Sequence, residues 1–564
     1  MIDRDTVVIG SGIGGLTAAL CHAQAGEKVT VVEQHYVPGG WSHSFTMSGY
    51  QFSTGVHYIG ELSKGGLLRN IFEGLGLGGD LAFCEMTRTG YDHFFLEGKR
   101  YDIPVGRDHL KNYLTRSFPH EQAGIKRFLD KTGKLGTELA SLMDVVSLAD
   151  VLKLPFVAPS TLRWMFSSYD TFVRRYIRDE QLVRLLSAHA GDHAMPPDNI
   201  MAPMHVGMME HFMKGSFYPQ GGGYRLARSF VRALKRHKSE LILRTKVATI
   251  LTEGRGRSRK VVGVRLADGS EIRCNKVISN ADPHQTFTKM LAVETLSKRL
   301  RRKLSKTRYS PSCLALYLAV DIDLKSRGFD SGNYWYYNQA DMNKAFKICA
   351  DEGLFDEDEF SFFVLTVPTL KDPSKKSRHH HTLEAFTYLP YNLFEKWQHS
   401  ISGKRPDDYL AFKERLKERF LDNIEKLIPD IRQHIKFCEM GTPLTSAFYG
   451  NATNGNVFGT EKSILQSGPF AFQLTTEIKN LYMCGASTVG HGVIGALASG
   501  LSVSRISLKC GLSDLLKFKD KEITVYQSED ISSWPSRYHQ TINEKWYGRH
   551  EPSHHSHGLS SINR

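Results

Sequence analysis

Short β-branched runs, each closed by a glycine-rich turn or a polar loop, alternate along this chain with stretches of helical periodicity. The first, Thr6 to Ile9, passes directly into Gly10-Ser11-Gly12-Ile13-Gly14-Gly15 and then Leu16-Thr17-Ala18-Ala19-Leu20. This order predicts strand, tight turn and helix. Val29 to Val32 predicts a second strand, ending in Glu33. Further on, Val261 to Leu266, the hairpin Ala267-Asp268-Gly269 and the run from Val277 predict another strand pair. Phe362 to Val367 and Thr382 to Tyr388 read as strands joined by a polar loop from Lys371 to His381, with helical periodicity over 107–152 and 407–428. Near the other end, Asn480 to Thr488 predicts a buried strand running into a turn, and Gly490 to Ala496 opens a helix of small residues.

Length and charge narrow the classes. A chain of 564 residues exceeds one compact core and predicts several domains, or one with large insertions. Its 41% hydrophobic and 23% charged residues are those of a globular protein. No run of about 18 apolar residues is present, so no transmembrane helix is expected. The first strand begins without a basic, apolar leader, and no signal or transit peptide is expected. The net charge of +14 favours anionic partners, with nucleic acid and anionic lipid equal candidates on charge alone. Eight scattered cysteines without C-x-x-C spacing predict a reducing cytoplasm and no structural zinc. His379, His380, His381, His554, His555 and His557 read as solvated loop and tail rather than metal ligands. No metal site is expected. The segment after about residue 517, rich in His, Ser and charge, reads as a mobile or surface-docked tail.

The glycine turn carries the first chemistry. Gly10 permits the turn, Gly12 lets backbone approach a pyrophosphate, Gly14 adds to the turn, and Gly15 allows close packing of helix on strand. The helix N-terminus faces the negative charge. Glu33, 23 residues after Gly10, is placed to accept hydrogen bonds from an adenosine ribose and disfavours a 2′-phosphate, leaving FAD or NAD. Pro38-Gly39-Gly40 brings a second glycine pair to the same cofactor, and Gly490-His491-Gly492 starts a second anion-accepting helix. These two features favour FAD.

The stretch from Val7 to Gly40, together with the segment around Gly485 and Ala486, resembles the phytoene desaturase-like branch of the amine oxidase flavoprotein superfamily over nearly the whole chain. Within that branch, Phe52-Ser53-Thr54-Gly55-Val56-His57-Tyr58-Ile59-Gly60 is similar to the sequence of all-trans-retinol 13,14-reductases after their first flavin motif. Carotenoid isomerases and desaturases are similar over the same region, usually without the histidine-tyrosine pair. Val489-Gly490-His491 departs from the His-Pro-Gly of bacterial carotenoid desaturases. The resemblance implies an α/β fold, α+β overall, with a Rossmann-type FAD-binding domain and an interleaved substrate domain of mixed sheet and helices. The expected division is a discontinuous FAD-binding domain over 1–90, 205–290 and 470–515, a substrate and membrane-facing domain over 91–204 and 291–469, and a tail over 516–564. Val247 and Val493 join the glycines and Glu33 as implied cofactor contacts.

The implied reaction is FAD-dependent saturation of a C=C bond in a retinoid- or carotenoid-like polyene, with hydride passing to one carbon and a proton exchanged at its neighbour. His57, Tyr58, Glu61 and His491 are the candidates for moving that proton. The alternatives are a desaturase or cis-trans isomerase, a flavin amine oxidase, and a non-catalytic flavin-binding protein. Expected partners are the apolar substrate, a membrane surface contacted peripherally from the cytoplasm, and an external electron donor or acceptor, with no nucleic acid. Leu162 to Ile177 and the basic Lys298 to Leu304 are candidate membrane-facing segments, against the plainer readings of core helix and solvated helix face. Met195, Met201, Met204, Met208, Met209 and Met213 suit an adaptable apolar tunnel or ordinary core.

Overall fold

The computed structural model describes residues 2–142, 148–349, 359–375, 380–539 and 542. His379, His554, His555 and His557 lie outside them. β-Branched Val and Ile at successive positions, with no polar alternation, make strands buried on both faces. Val29–Val32 is such a strand, and in Ile2–Ile9 the residues from Thr6 to Ile9 are all buried. These two strands run parallel, Val8 opposite Val31, and Ile2–Ile9 pairs on its other side with Glu271–Ser279, Val8 opposite Ile278. The full order is Glu240–Ile242, Val29–Val32, Ile2–Ile9, Glu271–Ser279, Lys260–Leu266 and Val247–Glu253, with Leu481–Met483 parallel to Glu271–Ser279. The small-residue helices Ile13–Gln24 and Gly492–Leu508 pack on this sheet and on each other. Their approach requires glycine, because a Cβ at Gly500 would lie 2.4 Å from the Gly14 carbonyl oxygen.

A second seven-stranded sheet has the order Ile435–Gly441, Ser312–Val320, His381–Leu389, Phe362–Thr366, Asn333–Tyr337, Asp92–Leu96 and Lys99–Ile103. Alternation divides its two faces. Leu314, Leu316, Phe363 and Leu365 pack against Asp407–Glu425, whereas Trp335, Tyr337, Phe362, Val364 and Tyr388 face the helices between residues 107 and 213. The second face lines the site described below.

The expected strands near 362 and 382 are present as Phe362–Thr366 and His381–Leu389. Between them the expected polar loop is corrected. Pro368–Lys371 is a buried helical turn, and Lys371 is fully buried. His380 and His381 are not solvated either, since His380 Nδ1 shares a 2.6 Å hydrogen bond with Tyr50 and His381 Nδ1 one of 2.9 Å with Thr369. Their imidazoles are absorbed by neighbouring hydroxyls. The periodic stretch 107–152 is interrupted, with Arg107–Ser117 and Gln122–Ser141 separated by Pro119. Proline lacks the N–H that a continuous helix requires.

The described part of the C-terminal segment is docked. Thr524–Gln527 pairs in parallel with Ala82–Glu85, Trp534 is buried, and the Ser528 hydroxyl donates to the Lys371 carbonyl at 2.6 Å. No described helix is long and apolar enough to cross a membrane.

Candidate active site

Backbone builds the first half of the site. Gly10 turns the chain at φ +90°, and Gly39 and Gly40 bring a second loop onto the first, with a parallel bridge from Gly12 to Gly39 and a Gly39 N–H···O bond to Ser11. A side chain here has no room. A Cβ at Gly15 would lie 2.2 Å from the Gly10 oxygen, and one at Gly12 only 2.6 Å from Asn280 Nδ2. Glu33 closes the end of Val29–Val32, where its Oε2 accepts from the Ser11 N–H and hydroxyl, each at 2.7 Å, and its Oε1 from the His35 N–H at 2.8 Å. Val247 is buried with Ile9 and Val32 just beyond Thr245, whose N–H donates to the Glu33 carbonyl.

Both helix starts that face this loop system are open. Ile13–Gln24 follows Gly12, and Gly492–Leu508 follows His491, neither with a side-chain cap nor an acidic residue in its first turn. Their free N–H groups and positive dipole ends suit a pyrophosphate. Gly485 (φ +95°) and Gly14 close around the Asn280 amide, whose Oδ1 would be within 2.9 Å of a Cβ at either glycine. Ala486 is fixed through its carbonyl, which accepts from Lys462 Nζ at 2.7 Å, and Val493 packs at the rim of the first-helix core. The donor set fits FAD: glycine-lined backbone for phosphates and an acid at the second strand for ribose.

Side chains build the second half. The turn Ala188–His193 ends in left-handed Ala194 and is held by Tyr388 Oη donating to the Gly191 carbonyl at 2.7 Å and by His189 Nε2 against Asp92 Oδ2 at 2.8 Å. Asp92 also accepts from Asn333 Nδ2 and Trp335 Nε1. Gly191 is required because a Cβ would lie 2.5 Å from the Trp335 ring. So held, the turn presents Asp192 and His193. Tyr58 Oη donates to Asp192 Oδ2 at 2.9 Å, while its ring stacks on Phe212 at 4.0 Å and 2°. His491 Nε2–H donates to the Asp192 carbonyl at 2.8 Å, leaving its Nδ1 without a partner, and its ring lies 4.9 Å from those of His193 and Phe458. Tyr58, Asp192 and His491 lie deep in the protein yet keep part of their surface open.

Low polarity shifts these groups in the directions that burial dictates. The Asp192 carboxyl is raised to about 7, the Tyr58 phenol well above its usual value, and His491 is lowered to about 3. His193 is also lowered well below its usual value by burial, with both ring nitrogens unpartnered. Lys371 is lowered to about 7 by burial, and its Nζ donates to the His57 carbonyl at 2.7 Å and also to Asn333 Oδ1.

The structure joins Tyr58 and His491 through Asp192 and gives the other two expected proton carriers different partners. His57 stacks on Phe386, with Nδ1 3.2 Å from Glu384 Oε2 but misaligned for a hydrogen bond. Glu61 instead accepts from Lys214 Nζ at 2.9 Å. Asp192, His193, Lys371, Lys462 and Asn280 were not among the expected site residues. His189-Ala190-Gly191-Asp192-His193, a cluster of titratable groups around a glycine, is the signal that could have found two of them.

The family model for flavin containing amine oxidoreductases matches residues 13–506. The human all-trans-retinol 13,14-reductase is 29% identical over 93% of this chain and 89% of its own length. The chloroplastic prolycopene isomerase of Arabidopsis thaliana is 30% identical over 90% of this chain and 83% of its own length. Among solved structures, wild-type putrescine oxidase bound to putrescine has a TM-score of 0.59 at 15% identity, covering 90% of this chain and all of that one. This last likeness is one of fold.

Proposed function

The chain belongs to the flavin containing amine oxidoreductases and its cofactor is FAD, and within that family we propose that it saturates a C=C bond of a conjugated polyene lipid, with Asp192 and Tyr58 supplying the proton. The carrying observation is the Tyr58–Asp192 hydrogen bond set among the packed aromatic rings of Phe212, Phe386, Tyr388 and Phe458. Aromatic rings accept an apolar polyene and exclude water, and they leave one acid in reach. The similarity to retinol reductases and prolycopene isomerases over most of the chain supports the substrate class.

FAD, when bound across the glycine loops, supplies hydride chemistry at its ring. The chain's own groups do the rest. Gly10, Gly12, Gly14, Gly15, Gly39, Gly40 and Gly485 admit the phosphates, and Glu33 holds the ribose. Ala486, Val247 and Val493 border the same cofactor. When Asp192 is protonated, its carboxyl donates to the phenol oxygen and the Tyr58 hydrogen is free to pass to the alkene carbon beside the one that receives hydride. His491, neutral, fixes the Asp192 backbone, and Lys371 fixes the His57–Tyr58 backbone from behind. Electrons come from an external donor, and the substrate reaches the protein from a membrane surface.

Anaerobic mixing of the flavin-reduced protein with polyenes, following flavin absorbance and product mass together, tests this reading. Flavin reoxidation with a gain of two hydrogens is expected. Unchanged mass with altered double-bond geometry replaces saturation by isomerisation, and reoxidation only by amines or oxygen rejects the polyene.

A further inference from the structure

Two stretches far apart in sequence meet at Phe166 and Phe470. Leu148–Val157 exposes Phe156 (85%), and the residues after Pro159–Trp164 expose Phe166 (61%). Phe470, at the end of the turn Gly468–Phe470, lies with its ring 6.2 Å from that of Phe166, and nearby Leu465 is 76% exposed. Large side chains left in water beside one another mark a contact surface. The basic helix Lys298–Lys306, which buries none of its residues, abuts the same turn, where Lys303 Nζ donates to the Ala471 carbonyl at 2.7 Å and sits 4.4 Å over the Phe472 ring. The remaining basic side chains of this helix, Arg299, Arg301 and Arg302 among them, stand free to meet an anionic surface.

A row of methionines leads inward from this face. The methyl groups of Met165 and Met201 lie 4.0 and 3.7 Å from the Cβ position of Gly468, and that of Met204 lies 3.7 Å from the Cβ position of Gly490, next to His491. Flexible thioethers can part for a long apolar chain and close behind it.

We infer that this face seats on an anionic lipid bilayer and that the apolar substrate enters past Met165, Met201 and Met204 to Asp192. The lipid seat stands on the exposed phenylalanines and the basic helix. What enters rests on the proposed polyene reading. An apolar patch beside a basic helix fits a bilayer, whose surface offers acyl chains and anionic headgroups together, better than a nucleic acid, which offers charge alone.

The test is co-sedimentation of the FAD-loaded full chain with vesicles of phosphatidylcholine, with and without phosphatidylserine. Binding should require phosphatidylserine. It should fall about tenfold or more in F156E/F166E and in R299E/R302E, with bound flavin unchanged. F156E/F166E should also turn over polyene delivered on cyclodextrin at the wild-type rate while losing turnover of polyene held in vesicles. Wild-type protein that ignores both vesicles, or variants that bind as wild type does, would overturn the seat, as would binding of duplex DNA with indifference to lipid. Vesicle binding that these variants abolish, without reaction of any polyene, would uphold the seat and reject the polyene reading instead.

Discussion

The proposed nucleotide cradle and the proposed reaction site are built from opposite materials. The cradle is glycine and backbone: its anion-facing groups are N–H donors at two uncapped helix starts, with Glu33 its only acid among the residues named. The reaction site is made of titratable side chains in an aromatic shell, with Asp92, Asp192, His193, Lys371 and His491 enclosed together. Backbone dipoles bind charge without titrating, so the cradle works at any ordinary pH. Buried carboxyl and amine groups exchange protons near neutrality, so the reaction site is where pH acts.

The largest expected effect strikes the cradle. Gly15→Val places atoms inside the van der Waals radius of the Gly10 oxygen and should leave protein without bound flavin, measured by its visible spectrum after purification. Retention of flavin would mean that the loops do not hold it. Next comes the reaction site. Asp192→Asn should keep flavin and slow polyene-driven reoxidation about 10²- to 10⁴-fold, the range for loss of a general acid or base.

The same substitution should stabilise the fold. Asp192 is raised in the folded state from 3.8 to about 7, so its contribution to stability is present at acid pH and lost as pH rises through 7. Asp192→Asn removes that loss and should raise the melting temperature above pH 7, by about 1–3 kcal/mol of stability. Lower stability at pH 8 would show that the charged carboxylate is well accommodated.

Lys371→Met leaves the His57 carbonyl and Asn333 without their donor. Turnover should drop about ten- to a hundredfold through misplacement of Tyr58, with flavin retained. The smallest effect is expected at Glu61→Gln, whose partner is the exposed Lys214 rather than a group at the proposed reaction site, where turnover should stay within about twofold of wild type.

The two regions also differed in how far the sequence disclosed them. Gly10 to Gly15 and Glu33 are legible because strand, turn, helix and acid follow one another within one local unit, and the geometry they require excludes a side chain. The C-terminal turn at Gly485 is legible for the same reason. Asp192 is not, because its meaning depends on Tyr58, 134 positions away, and on the enclosure supplied by a third element. Lys371 reads as one more polar residue among Lys, Asp and Ser, and its buried side chain finds its acceptors at His57 and Asn333, both far off in sequence. Glu61 was a candidate because it follows the flavin-binding segment and is a plausible acid, and in the fold, at left-handed backbone (φ +57°), its side chain accepts from Lys214. Neighbourhood along the chain is a poor guide at such a turn.

The proposed role of Asp192 as holder of the transferred proton is checked by the pH dependence of flavin reoxidation by polyene. Burial dominates the upward shift of the carboxyl, with His189, Asp92 and Tyr58 also acting on it, while His491 bonds the Asp192 backbone carbonyl. The wild-type rate should be level below about pH 7 and fall as pH rises through it, and the slow Asp192→Asn rate should lack that limb. A wild-type profile flat across pH 7, or a limb that persists in Asp192→Asn, would contradict that role.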